Sequence, residues 1–480
     1  MLFNSIDFLF FLPCVFIGYW FFFHKNLHIQ NTFIIAISYL FYGWWDWRFI
    51  PLIFISSCVD YICGDKIYYN TEQKNKKFWL KISLLCNLGI LGIFKYFNFF
   101  INEFARCFNL DENSLSLNLI LPVGISFYTF QTMSYTLDIY KGSLKPTKNP
   151  IAFFAFVSFF PQLVAGPIER ASRLLPQFHH ERSFDIANAK DGLRQILFGL
   201  FKKIAVADSC AKIVVYIYGY HETLPGSVLF IGSAFFVIQV YGDFSGYSDI
   251  AIGCAKLFGI KLSKNFDNPY FSSSMNEFWR RWHISLSSWF KDYLYLPLCL
   301  KNGKRCSKWN QCYFAILTFA VSGLWHGANW TYILWGVLNG LYLIPGMLIA
   351  KKKIVNHSLF SKPIQFFKVI LTLCLITFTW VLFRSENIHQ AISIYSQLFS
   401  ASLFQNPLHE LATMSVGNTV RNAVLCSGIL FGADWIFKNK RHTLDIVALP
   451  LIIRWFIYAS ISLITLIFMG DENQFIYFAF

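Results

Sequence analysis

Apolar stretches long enough to cross a bilayer recur along almost the whole of this 480-residue chain. A spanning helix needs about 20 mostly apolar residues in a row. Windows of that kind fall near 8–23, 31–45, 48–64, 79–101, 118–140, 151–166, 196–219, 226–259, 311–328, 331–350, 365–384, 418–437 and 447–469. Charged residues make up 14% of the chain and Phe alone supplies 55 positions, whereas an average soluble domain carries roughly 25% charge. Such a chain cannot clothe a soluble surface, and it is too apolar to stay disordered. The expected fold is an all-α polytopic membrane protein with about 11–13 transmembrane or re-entrant helices. It reads as one membrane domain over 1–480, with no soluble appendage and no internal repeat.

Charge sets the expected topology. Lys and Arg exceed Asp and Glu by 41 to 26, a net +15. In a polytopic protein that excess marks cytoplasmic loops rather than nucleic-acid binding. Basic loops lie at 66–81, 141–148, 170–203, 301–308, 351–353 and 438–441, and loops poor in Lys and Arg at 111–118, 221–225 and 403–419. The first apolar run precedes its basic residue, Lys25, which is the reverse of a secretory signal. It is therefore expected to stay as a spanning helix with its N-terminus outside. The 151–166 window has basic loops on both sides, as a hairpin or re-entrant piece would. The 12 cysteines are scattered without CxxC or zinc-site spacing, which suits small buried apolar residues and leaves no metal site.

Two stretches break the apolar pattern. Residues 276–300 combine three Trp with Arg280, Arg281 and His283. On one helix, Phe278, Trp282, Trp289 and Tyr293 would share a face, so the expectation is an amphipathic helix at the cytoplasmic interface. Residues 168–195 are mixed and basic, and are also expected to be interfacial.

Among the histidines, most sit in polar loops as solvated side chains would. His326 differs, because it lies in VSGLWHGANW (321–330) inside an apolar hairpin. An ionisable residue at membrane depth usually lines a cavity or pathway. Gly323 and Gly327 permit close approach beside it, and Trp325 and Asn329 add polar groups. The bland alternative is a histidine that hydrogen-bonds across helices to hold the bundle together. His283 lies in WRRWH, where Trp and Arg are explained by interfacial anchoring but the histidine is not. A neutral imidazole is the usual base for activating a hydroxyl. No Gly-x-Ser-x-Gly elbow accompanies either histidine. The run Tyr241–Asp249 places Asp243 and Tyr247 among Gly and Ser. It reads either as a discontinuous helix lining a polar cavity or as helix-packing glue.

Read together, these segments resemble the bacterial branch of the membrane-bound O-acyltransferase (MBOAT) family that O-acetylates alginate and peptidoglycan. The resemblance rests on MLFNSIDFLFFLP at the start, SYLFYGWWDWRF (38–49), FKYFNFF (94–100), LPVGISFYTFQTMSYTLDIY (121–140) and FFPQLVAGPIER (159–170). It continues through QVYGDFSGYSDIAIG (239–253), FWRRWHISLSSWFKDYLYLPL (278–298), SGLWHGANWTYILWG (322–336), WVLFR (380–384) and FIYFAF (475–480). It implies a ring of helices around a central tunnel in the bacterial inner membrane. It also implies that His326 is the catalytic histidine and His283 the second important one. The donor so implied is acetyl-CoA or another acyl thioester, a substrate and not a bound cofactor. Arg280 and Arg281 would meet its phosphates, with Trp325, Asn329, Asp243 and Tyr247 as further substrate-binding candidates. The acceptor would be a polysaccharide hydroxyl, reached directly or through a periplasmic acetyltransferase partner. Membrane lipids are the other expected partner and nucleic acid is not one. A D-alanyl transferase using a carrier-protein thioester, and a polysaccharide or lipid transporter, are the alternative readings.

Overall fold

A computed structural model describes residues 1–110, 116–117, 119–164, 166–301, 303–349, 363–413 and 417–470. The FIYFAF run at 475–480, the basic loop at 351–353 and most of the 111–118 loop lie outside them. The described chain is helical almost throughout. Its strands are a two-residue pair, Leu300–Lys301 against Lys304–Arg305, turned by Gly303 at φ 76°.

Five helices among the described residues are long and apolar enough to cross a membrane: Leu27–Tyr69, Gln73–Cys107, Gly226–Leu257, Trp330–Ile349 and Pro363–Arg384. Ile6–Phe22 and Leu451–Ile467 are shorter apolar helices. Large apolar side chains such as Phe10, Leu85 and Phe456 face outward, while Asp60, Asn87, Ser83 and Thr132 are buried. Apolar outside and polar inside is the arrangement a lipid solvent imposes.

The chain forms two compact units. One comprises Met1–Ile196 with Ile250–Ser263, and the other Leu197–Asp249 with the described residues from Lys264 onward. The first unit holds α1 (Ile6–Ile17), α2 (Leu27–Asp46), α3 (Ile50–Tyr69), α4 (Gln73–Leu91), α5 (Phe97–Cys107), α6 (Ile125–Tyr140) and α7 (Pro150–Ser158). Helix α6 begins at Gly124, whose φ of 75° suits glycine, and it is buried on nearly every side. Its Thr132 bonds Asn87 of α4, and Asn87 and Ser83 both donate to the buried Asp60 of α3. At this depth each polar group needs a protein partner, so the three helices are tied by one network. As the 151–166 window suggested, α7 is short. The chain breaks at Phe159 and resumes as a single turn, Phe160–Leu163, all of it buried.

Helix α8 (Ile186–Leu200) leads into a wider π-helical turn, Phe201–Ala207, and then α9 (Asp208–Gly219). Lys202 and Lys203 in that turn are buried and ion-paired, so the basic loop expected over 170–203 ends before them. Helix α10 (Gly226–Leu257) runs unbroken for 32 residues. The discontinuous helix expected at Tyr241–Asp249 is therefore not present. The small residues there serve packing instead, for a Cβ on Gly246 would stand 2.7 Å from the carbonyl oxygen of Gly199.

The rest of the second unit contains α11 (Met275–Arg281), α12 (Ile284–Phe290), α13 (Lys308–His326), α14 (Trp330–Ile349), α15 (Pro363–Arg384), α16 (Ile388–Leu398), α17 (Gly417–Ile436) and α18 (Leu451–Ile467). The single amphipathic helix expected over 276–300 is broken in two at Trp282 and His283. Phe278, Trp282 and Trp289 are buried in protein instead of lying along one exposed face.

Candidate active site

Helix α11 starts from a local signal. Ser274 accepts from the Glu277 N–H, and the Glu277 carboxylate accepts from the Ser273 N–H and hydroxyl. The same carboxylate holds Arg281 at 2.6 Å. Trp282 then turns extended, and its N–H still bonds the Phe278 carbonyl. His283 follows at φ 42°, ψ 55°, a left-handed conformation that costs a non-glycine residue about 1–2 kcal/mol. Asn265 holds this bend. Its backbone carbonyl accepts from the Ile284 N–H at 2.9 Å, and its side-chain oxygen accepts from the Ser285 N–H and hydroxyl.

That arrangement fixes the tautomer of His283. The Ser285 N–H can only donate, so the atom it meets on Asn265 is the amide oxygen. The Nδ1 of His283 lies 3.2 Å from the same oxygen and must carry a hydrogen. The ring is buried between Phe244 and Trp325, and burial pushes its pKa down to about 3. A neutral ring with Nδ1 protonated presents its lone pair on Nε2. Asn265 is itself anchored by a bond from its amide nitrogen to Ser248 of α10. Sequence reading missed Asn265, which stands 18 positions before His283 in an unremarkable loop.

His326 is the last residue of α13 and is also buried. It meets Trp325 at 5.0 Å, Trp335 at 5.1 Å and Phe383 at 5.3 Å, each ring nearly perpendicular. The α13–α14 hairpin makes this corner. A Cβ on Gly323 would strike the carbonyl of Tyr332, and one on Gly336 that of Phe319, so the two backbones touch where only glycine fits. Trp325 joins the two histidines, with its indole 6.2 Å from the His283 ring and 5.0 Å from that of His326.

A cavity of about 420 Å³ opens beside this corner. It is lined by Trp279, Arg280, Ser287, Ser288, Lys291, Phe319 and Ser322 among others. Neither histidine lines it directly. Ser322 stands one turn before His326 on α13, and Ile284 follows His283, so the cavity wall adjoins His283 in sequence and lies one helical turn from His326. Trp279 links wall and site, lying 4.9 Å from Phe319 and 5.7 Å from Trp335.

The other candidate residues sort differently. Arg280 is exposed and lines the cavity, whereas Arg281 is engaged by Glu277 and does not. Asn329 caps α14 by accepting from the Thr331 N–H, and its amide hydrogen goes to the Glu386 carbonyl at 2.7 Å. Asp243 pairs with Lys203 at 2.8 Å, and Lys203 Nζ also lies over the Tyr247 ring. These two residues thus belong to a buried ionic cluster with Asp208, Lys202 and Asp249, away from the cavity lining. Phe244 of the same helix touches His283 at 4.5 Å. Arg384 packs its guanidinium over Tyr218.

Residues 143–385 match the sequence model of MBOAT, the membrane-bound O-acyltransferase family. Over 450 residues the chain is 36% identical to the probable alginate O-acetylase AlgI of Pseudomonas aeruginosa, covering 92% of this chain and 84% of that one. It is 34% identical over 423 residues to the peptidoglycan O-acetyltransferase of Helicobacter pylori, covering 82% and 79%. Likeness to the teichoic acid D-alanyltransferase of Bacillus subtilis is 29% over 238 residues, 47% of this chain and 59% of that one.

Proposed function

This chain belongs to the membrane-bound O-acyltransferase family, and we propose that it carries an acetyl group from a cytoplasmic thioester, acetyl-CoA in the simplest case, to hydroxyls of an exported or cell-wall polysaccharide. It is a multi-pass membrane O-acyltransferase. The bacterial inner membrane is its proposed location, with the basic loops on the donor side. Transfer is direct or passes through an extracytoplasmic acetyltransferase partner.

The observation that carries this reading is the corner where Trp325 packs against both imidazoles, one residue layer behind a cavity with a cationic edge. Arg280 and Lys291 suit the phosphates of a CoA-type donor, and the aromatic and aliphatic lining suits its arm and acyl group. His326 accepts the proton of the acceptor hydroxyl as that oxygen attacks the thioester carbonyl carbon. The C–S bond then breaks, and the imidazolium returns the proton to the thiolate. The ester and a free thiol are the products. His283, its Nδ1–H tied to Asn265, offers Nε2 as a second proton acceptor on the other side of Trp325. Transfer of a D-alanyl group instead is favoured less, since likeness to the D-alanyltransferases covers 47–50% of the chain against 92% for the alginate O-acetylase.

The test is thiol release from acetyl-CoA by the purified protein, together with ester-linked acetate on cell-surface glycans. Replacing His326 by Ala should abolish both at unchanged expression. Normal surface acetate in that variant would refute the reading, and D-alanyl esters in place of acetate would favour the alternative.

A further inference from the structure

We propose that the indole N–H of Trp335 donates the hydrogen bond that stabilises the oxyanion formed at the thioester carbonyl. The proposal rests on the reading of His326 given above.

Trp335 is 1% exposed, and its Nε1 is buried with no hydrogen-bond acceptor among the described residues. Its ring is walled by other rings: His326 at 5.1 Å, Phe383 at 5.1 Å, Trp279 at 5.7 Å and Trp380 at 5.9 Å. Buried tryptophans ordinarily find a partner for this group, and leaving a buried donor unmade is unfavourable. Phenylalanine would supply a ring here without that cost. The N–H is accounted for if the reaction brings the acceptor, an oxygen that gains charge beside His326.

The backbone and amide donors that follow His326 are already committed. The Gly327 N–H bonds Gly323, the Asn329 N–H bonds Gly327, and the Asn329 amide bonds Glu386. Trp279 extends the pattern toward the cavity, because it lines the wall and its own Nε1 is buried without an acceptor among the described residues. A thioester passing from the cavity to His326 thus meets two indole donors in turn. As the hydroxyl oxygen bonds the carbonyl carbon, the carbonyl electron pair moves to oxygen and is held by Trp335. When that pair returns, the C–S bond breaks and the thiolate takes the proton from His326.

The experiment uses the purified full chain in detergent, with acetyl-CoA as donor, alginate oligosaccharide or a soluble peptidoglycan fragment as hydroxyl acceptor, and thiol release as readout. Trp335→Phe should lower kcat by about 10²-fold, as loss of one oxyanion donor does, with KM for acetyl-CoA and the melting temperature little changed. Trp380→Phe trims the same aromatic cluster and should cost far less. Trp279→Phe should raise KM more than it lowers kcat. Should Trp335→Phe not fold, benzothienylalanine at 335 keeps the indole shape while replacing N–H by sulfur, and is judged by the same criteria. Full kcat in the variant judged, or equal losses at 335 and 380, overturns the proposal. His326→Gln separates the two levels: turnover surviving in it defeats the underlying reading, whereas an inactive His326→Gln beside a fully active Trp335→Phe defeats this inference alone.

Discussion

Asn265 does more for the site than its position in the sequence announces. One oxygen accepts from His283, from the Ser285 N–H and from the Ser285 hydroxyl. Replacing Asn265 by Leu leaves a buried N–H and an imidazole N–H unmet, at about 1–3 kcal/mol for each such group. It also frees the ring to rotate, and a misplaced catalytic group can cost about 10²-fold. Asn265→Asp keeps all three acceptor contacts and should retain much more turnover than the Leu variant. Equal activity of the two would show that the oxygen does not position His283. Lys203 offers a second check at this scale. Its ammonium holds Asp243 and Asp208 in a buried setting. Lys203→Met strands those carboxylates, and removing one partner of a buried pair costs about 3–5 kcal/mol. Adding Asp243→Asn should restore part of the lost melting temperature, and no recovery would mean that the pair is not coupled.

Two elements place the histidines. The α13–α14 hairpin puts His326 at a helix end by pressing two backbones together at Gly323 and Gly336. Gly336→Ala pushes a methyl against the Phe319 carbonyl, and overpacking of this kind costs about 1–3 kcal/mol. The expected outcome is a lower melting temperature and reduced turnover together. An unchanged melting temperature would show that the helices can separate freely. The second element is the interrupted helix α11–α12. Side-chain periodicity across 276–300 predicts one amphipathic rod, yet the rod would carry Trp282 and His283 to the surface. The left-handed step at His283 turns both inward instead, and Asn265 supplies the partners that make the step tolerable.

For the molecule as a whole, the burial of His283 links stability to pH. Its folded pKa of about 3 lies below the ordinary 6.5, so between those values the unfolded chain binds the proton and the folded one does not. The contribution is complete above about pH 6.5 and is lost as pH falls toward 3, by at most about 1.4 kcal/mol per pH unit. Melting temperatures from pH 8 down to pH 4 should therefore fall more steeply for the parent than for His283→Gln. Parallel profiles would place the protonated ring inside the fold without penalty.

The sequence by itself determined the membrane class, because length and hydrophobicity of the apolar windows leave a bilayer as the one solvent that fits. It also singled out His326 and His283, since ionisable residues in apolar context are costly enough to stand out. The family resemblance in the motifs agrees with the relatives found. What it could not disclose depended on partners distant in the chain. Lys202 and Lys203 look like loop charges until Asp249 and Asp243 are seen against them, some 40 or more positions away. Asp243 and Tyr247 read equally as cavity lining or as helix packing until Lys203 is seen against both. Asn265 and Trp335 carry no local mark at all. Periodicity reports which solvent a residue faces, whereas the identity of a hydrogen-bond partner, and whether a buried donor has one, is settled only when helices from different parts of the chain meet.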